Sequence, residues 1–97
     1  MQLNIIKYND NNEIISGRKF VVTFQAGNGT IKNISYNYGT TIDKMLKKYL
    51  LRIDHPELIN SNKIIFLYNA EKIKFGDQTV LEKIFKYAQN QRIVVME

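Results

Sequence analysis

Side chains that usually carry chemistry are sparse in this 97-residue chain. The chain has one histidine and no cysteine, so it can form neither a disulfide nor a cysteine-ligated metal site. His55 is followed by Pro56 and has no partner at the spacing of a metal site or a catalytic triad. The carboxylates are scattered, and no pair has the apolar surroundings that would raise a carboxyl pKa. We therefore predict a protein that is not an enzyme and that uses neither a cofactor nor a metal.

A glycine-rich segment, Gly27-Asn28-Gly29, does not match a phosphate-binding loop, because it leads into a strand and not into a helix. It separates Phe20–Phe24, whose apolar residues alternate, from a second strand at Thr30–Tyr36. Glycine and asparagine tolerate a positive φ, so the segment is predicted to be a hairpin turn. In the second strand Ile31 and Ile34 break the alternation once, which predicts a β-bulge near Asn33.

One amphipathic helix is predicted after the hairpin. Thr40 or Thr41 can cap its first turn, Asp43 suits the positive end of the helix dipole, and His55-Pro56 ends it. The apolar residues of this segment fall on one helical face: Ile42, Met45, Leu46, Tyr49, Leu50 and Ile53. The basic residues lie away from that face and are interpreted as a solvated surface: Lys44, Lys47, Lys48 and Arg52.

Three further strands and a short helical turn follow the helix. The strands are predicted at Lys63–Tyr68, Lys72–Phe75 and Arg92–Met96, and the turn lies within Val80–Tyr87. Two strands, one helix, a strand pair and a last strand, in this order, predict the α+β class. Specifically, this order predicts a β-grasp fold in which a mixed sheet of four to five strands packs on one helix.

The first 17 residues differ from the rest. Asn9–Asn12 is a polar turn cluster between two short segments with some strand character. We expect residues 1–17 to be an N-terminal extension, either a linker with a transient strand, which we favour, or an extra hairpin. Residues 18–97 would then form the β-grasp domain.

Net charge is +5 and allows nucleic acid, an acidic partner or an anionic membrane surface as a ligand. Lysine, isoleucine and asparagine are all abundant, however, and an AT-rich genome explains the basic charge better than a dedicated basic surface does. No apolar run is long enough to span a membrane, and the N-terminal apolar patch is too short for a signal peptide. We therefore expect a cytoplasmic or nuclear location.

Most of the chain also shows a family likeness, because Phe20–Glu97, about four fifths of the sequence, resembles the ubiquitin-like domains. The resemblance rests on the order of the glycine-turn hairpin, the Thr41-Ile42 helix start, the segment Phe66–Ile73 and the last strand through Ile93-Val94-Val95. It implies a module that recognises other proteins. Conjugated members of the family end in Gly-Gly, whereas this chain contains no Gly-Gly and ends at Met96-Glu97. We therefore expect a non-conjugating domain of a larger protein, and a modifier whose tail is missing is the alternative.

The resemblance also implies an apolar docking patch on the exposed sheet face, at Leu67 and Met96 with Val94 beside them. Strand alternation leads to the same three residues, because Ile93 and Val95 facing the helix would turn Val94 and Met96 outward. The family's third contributor falls near Gly27, which has no side chain. We expect a protein partner on this patch, with three basic residues at its rim: Lys63, Lys72 and Arg92.

Three alternatives remain open. The patch could be covered by the N-terminal extension or by a neighbouring domain. A Ras-association-type adaptor would instead use Lys32 and Lys44 to bind an acidic surface. Binding of nucleic acid is the least favoured alternative, and it would use Tyr36, Tyr38 and Tyr87 to stack on bases.

Overall fold

The computed structural model describes residues 7–8, 14–16 and 19–97 of the chain. The strands are β1 (Lys7–Tyr8), β2 (Ile14–Ser16), β3 (Lys19–Ala26), β4 (Ile31–Asn37), β5 (Ile65–Tyr68), β6 (Glu71–Ile73) and β7 (Gln91–Met96). One α-helix, α1, spans Ile42–Arg52, and two 3₁₀ turns span Pro56–Leu58 and Leu81–Lys83.

Five of these strands form a mixed sheet in the order β4-β3-β7-β5-β6. β3 and β7 run parallel in its centre, and the other neighbours run antiparallel. This sheet, with α1 as its one α-helix, confirms the predicted α+β class and the β-grasp fold.

β1 and β2 pair with each other as a separate two-stranded antiparallel sheet. Whether residues 1–17 are an extra hairpin or a linker with a transient strand stays a prediction. The rest of the extension lies outside the described residues, so its boundary with the β-grasp domain stays a prediction.

The predicted β-bulge near Asn33 is wrong. β3 and β4 pair in an unbroken register from Lys19 opposite Asn37 to Gln25 opposite Ile31. Ile34 is buried against the helix side, whereas Ile31 lies on the opposite face of the sheet and is 54% exposed. The sequence pattern misled because an apolar residue need not point inward on a strand at the edge of a sheet.

Helix α1 begins at Ile42, and of the two predicted capping threonines it is Thr41 whose hydroxyl accepts a hydrogen bond from the Lys44 N–H, at 3.2 Å. The N–H groups of the first helical residues are also satisfied by the loop that precedes the second 3₁₀ turn. Ile42 donates to the Thr79 carbonyl and Asp43 to the Asp77 carbonyl, both at 2.9 Å. The helix start is therefore attached to a loop far away in sequence.

Aromatic rings fill the space between helix and sheet. Phe24 stacks on Tyr49 of α1 with 4.2 Å between ring centroids, and Phe66 meets both rings edge-on. Leu81 and Phe85 close one end of this core, as the predicted helical turn required. Among the described residues, sixteen buried apolar residues make one continuous cluster, which supports the sheet from its inner face.

Candidate interaction surface

The side chains of strand β7 point alternately into the core and out to solvent. Ile93 and Val95 are buried, whereas Val94 and Met96 are 40% and 49% exposed. The strict alternation of a β-strand produces this division, and it places Val94 and Met96, the two predicted patch residues on β7, on the outer face of the sheet.

Pairing with β5 brings the third predicted residue to the same place. Leu67 lies directly opposite Val94, and Ile65 lies opposite Met96. Opposite residues on an antiparallel pair have Cβ atoms about 5 Å apart, so these four side chains are direct neighbours. We call Ile65, Leu67, Val94 and Met96 the outer-face patch.

Sequence reasoning missed two apolar residues on this face. Ile65 is two residues before Leu67, so alternation alone would have found it. Ile31 lies in the same cross-strand row as Val94, with Gln25 of β3 between them. Ile31 supplies an apolar side chain near the hairpin turn, where Gly27 has none. The sequence analysis missed it because the incorrectly predicted bulge changed the face that Ile31 was expected to occupy.

Two of the three predicted basic residues border the patch. Lys72 of β6 lies opposite Leu67, and Arg92 lies two residues before Val94 on β7. The Arg92 guanidinium donates to Oε1 of Gln25, which holds the arginine over the sheet. Lys63 is exposed but lies in the loop before β5, outside the paired strands.

A second surface runs along β4, which is an edge strand of the sheet. The Ala26 N–H donates to the Thr30 carbonyl, so these two residues form a hydrogen-bonded pair. Such pairs alternate along an antiparallel ladder, and every second residue of β4 therefore points its backbone N–H and C=O away from β3. These residues are Ile31, Asn33, Ser35 and Asn37. The Lys48 ammonium donates to the Ser35 carbonyl at 3.4 Å. Lys44 and Arg52 lie one helical turn before and after Lys48, so basic residues follow this edge.

The tyrosines do not form the predicted stacking platform. Tyr36 is buried, its hydroxyl donates to the Met45 carbonyl at 3.0 Å, and burial raises its pKa well above the usual range. Tyr38 stacks on Phe20 with 4.3 Å between ring centroids. Tyr87 alone of these three is exposed, which is too little for a base-stacking surface.

Groups with catalytic or metal-binding potential are likewise few. The His55 ring contacts the Glu57 carboxylate at 2.9 Å, and this hydrogen bond lowers the pKa of Glu57. Among the described residues, no three His, Cys, Asp or Glu side chains lie close enough together to hold a metal ion. In the same part of the chain, no helix is both long and apolar enough to cross a membrane.

Neither known protein-family models nor curated proteins match the sequence. Solved structures do match the fold. The ubiquitin-like domain of an Arabidopsis thaliana protein is 18% identical, with a TM-score of 0.63 over 80% of this chain and 76% of that one. A ubiquitin-like protein from Trypanosoma brucei is 14% identical, with a TM-score of 0.57 over 81% of this chain and 91% of that one. A designed protein based on ubiquitin is 13% identical, with a TM-score of 0.59 over 79% of this chain and 85% of that one.

Proposed function

We propose that this ubiquitin-like β-grasp domain is a non-catalytic interaction module that docks a protein partner through the outer-face patch. The domain would be one part of a larger protein that acts in the ubiquitin pathway, in the cytoplasm or the nucleus. The observation that carries the proposal is the adjacency of Ile65, Leu67, Val94 and Met96 on one open sheet face.

The apolar character of this face is the first support. An antiparallel sheet with one solvated face normally alternates apolar residues inward with polar residues outward. On β3 the outward residues Thr23 and Gln25 are polar and Val21 is apolar, whereas the outward positions of β5 and the end of β7 are all apolar. Contiguous exposed apolar surface commonly marks a protein-binding site.

The charges around the patch favour a partner with acidic groups. Lys72 and Arg92 lie on two sides of the Val94–Leu67 pair. A partner with an apolar centre and carboxylates at its borders would match this surface, and the basic rim would speed its association at low salt.

An NMR titration of the ¹⁵N-labelled chain with a ubiquitin-interacting amphipathic helix tests the proposal at physiological salt. Amide shifts should centre on Leu67, Val94 and Met96. Val94→Asp should abolish them, because an unpaired carboxylate would be buried under the helix. Val21→Asp is the matched control. Val21 of β3 is 36% exposed on the same face of the sheet as the patch, but it lies away from the patch residues.

Loss of the helix-induced shifts in Val94→Asp but not in Val21→Asp would support the patch. Equal binding by both variants, or shifts located elsewhere, would overturn this assignment. Folding of each variant is checked by its own amide spectrum before the titration.

A second candidate function follows from the open edge of β4. The outward-facing backbone groups of Asn33 and Ser35, with Lys48 bonded to the Ser35 carbonyl, suit an acidic strand of a partner, as in a Ras-association-type adaptor. Lys32 and Lys44 would contribute to the same basic surface. The test is a titration with a small GTPase in its GTP form, in which shifts along β4 should fade as salt is raised.

A further inference from the structure

A cleft of about 360 Å³ opens beside the outer-face patch, where β5 and β6 part from each other. Their pairing ends at Phe66 opposite Ile73, and Ile65 pairs with β7 instead. The residues that continue from this point, Ile64 on one side and Phe75 on the other, leave a gap between them. The loop at residues 60–62 closes the outer side of the gap.

The floor of this cleft is apolar and well supported. Ile64 and Phe66 are buried, and Ile73 and Phe75 are partly buried against the core. The Phe66 and Phe75 rings meet edge-to-face with 5.8 Å between centroids, and this contact holds the floor in place. The cleft therefore exists before any partner arrives, as small binding pockets usually do.

The loop wall is also held in place. Ser61 N–H donates to the Leu58 carbonyl at 2.9 Å, and the Ser61 hydroxyl accepts from the Lys63 N–H at 3.0 Å. Asn60 adopts a left-handed backbone, with φ of 63°, where it turns the chain toward the cleft. Asn60, Ser61 and Asn62 line the cleft on this side, so this wall consists of polar residues while the floor is apolar.

The charge of the cleft has one sign. Lys72 and Lys74 line it, and its lining contains no carboxylate. The ion pairs found within the described part of the chain, Lys47 with Asp43 and His55 with Glu57, involve neither lysine. Two cations above an apolar floor favour a ligand that combines an apolar group with a negative charge.

We propose that this cleft is an anchor pocket for an apolar side chain that is adjacent to a carboxylate in a peptide partner. Its volume lies at the small end of ligand pockets, which suits one large side chain better than a longer segment. The inference rests on the proposed function and deepens it, because Ile65 and Lys72 border both the cleft and the outer-face patch. A peptide bound on the patch can thus place its next side chain in the cleft.

The test uses N-acetyl-phenylalanine, a minimal probe with one apolar side chain and one carboxylate, in an NMR titration of the ¹⁵N-labelled chain. Shifts are expected at the amides of Ile64, Ile73 and Phe75, with millimolar affinity. The neutral N-acetyl-phenylalanine amide should bind about three- to fivefold more weakly, because exposed ion pairs contribute up to about 1 kcal/mol. Equal binding by the two compounds would overturn the role of the lysines. If about 20 mM probe causes no shift, any binding is too weak for a pocket, and the proposed pocket is overturned.

Charge-reversal variants locate the probe. Lys74→Glu should weaken N-acetyl-phenylalanine binding, whereas Lys86→Glu makes the same change in net charge at a residue that does not line the cleft, and it should leave binding unaltered. Equal losses in both variants would indicate a general charge effect and overturn the pocket.

Val94→Asp separates this inference from the proposed function. The variant should still bind N-acetyl-phenylalanine, even though it should not bind the amphipathic helix. Loss of the probe would place it on the outer-face patch and contradict the cleft. If the wild-type chain binds the probe but fails to bind the helix, the proposed function fails and the pocket stands.

Discussion

The carboxylate of Asp43 accepts a hydrogen bond from the backbone N–H of Gly76 at 2.7 Å, across 33 residues of sequence. Its other oxygen pairs with the Lys47 ammonium at 2.8 Å. With the backbone bonds from Ile42 and Asp43 to the same loop, this contact joins the start of α1 to the segment after β6. The loop thus depends on the charge of one buried carboxylate.

Asp43→Asn should make stability less sensitive to acid. Hydrogen bonds from Lys47 and from Gly76 lower the pKa of Asp43, so its carboxylate stabilises the fold above the unfolded-state pKa. That contribution is lost as pH falls through the lower folded-state pKa. At neutral pH the variant should lose about 1–2 kcal/mol, as expected for a charged hydrogen-bonded group.

Urea denaturation of both proteins between neutral pH and about pH 2 measures this difference, which should shrink below about pH 4. Glu71→Gln removes an exposed carboxylate and should change the free energy of unfolding by less than about 0.5 kcal/mol at neutral pH. An Asp43→Asn difference that stays constant down to the lowest pH would contradict the prediction.

Ala70→Gly should stabilise the protein. Asn69 and Ala70 form the two-residue turn between β5 and β6, and both have a positive φ, of 51° and 66°. Alanine is strained in this region whereas glycine is not, so the substitution should raise the free energy of unfolding by about 1 kcal/mol. Thermal unfolding measures the effect as an increase in Tm.

Ala88→Gly is the control for the turn. Ala88 has no positive φ and packs against the core, so glycine there should destabilise by about 0.5–1 kcal/mol. A decrease in Tm for Ala70→Gly as well would show that the turn is not strained.

Gln91→Leu should cost about 2–3 kcal/mol. Gln91 is only 6% exposed, its amide donates to the Tyr87 carbonyl at 2.7 Å, and its oxygen accepts from the Tyr68 hydroxyl. Leucine would leave the Tyr87 carbonyl, in the loop before β7, and the Tyr68 hydroxyl of β5 without these partners. Chemical denaturation gives the loss of stability directly.

A double-mutant cycle with Tyr68→Phe isolates the hydroxyl contact. Once Gln91 is leucine, removing the Tyr68 hydroxyl should cost little, because its hydrogen bond is already gone. Full additivity of the two losses would mean that the contact contributes nothing to stability.

Phe24→Leu and Val94→Leu compare the two faces of the sheet. Phe24 is fully buried and stacked on Tyr49, so the loss of ring contacts should cost about 1–3 kcal/mol. Val94 is exposed, and its replacement should change stability by less than about 0.5 kcal/mol. Equal losses in denaturant unfolding would show that the outer face of β7 is covered in the folded chain.

Local patterns in the sequence determined much of this protein. The order of elements, the apolar face of α1 and the outward direction of Val94, Leu67 and Met96 follow from periodicity, and a threonine cap before Ile42 follows from residue type. Each of these features concerns one element and its own two faces, and neighbouring residues are enough to specify it.

Only the tertiary structure decided which faces meet and where gaps remain. It removed the expected bulge, placed Ile31 in a row with Val94, and put Ile65 beside Met96. The Asp43–Gly76 contact and the cleft between β5 and β6 also appeared only there. These features depend on the register between segments distant in the chain, and that register is set by packing of the whole core and not by any local pattern.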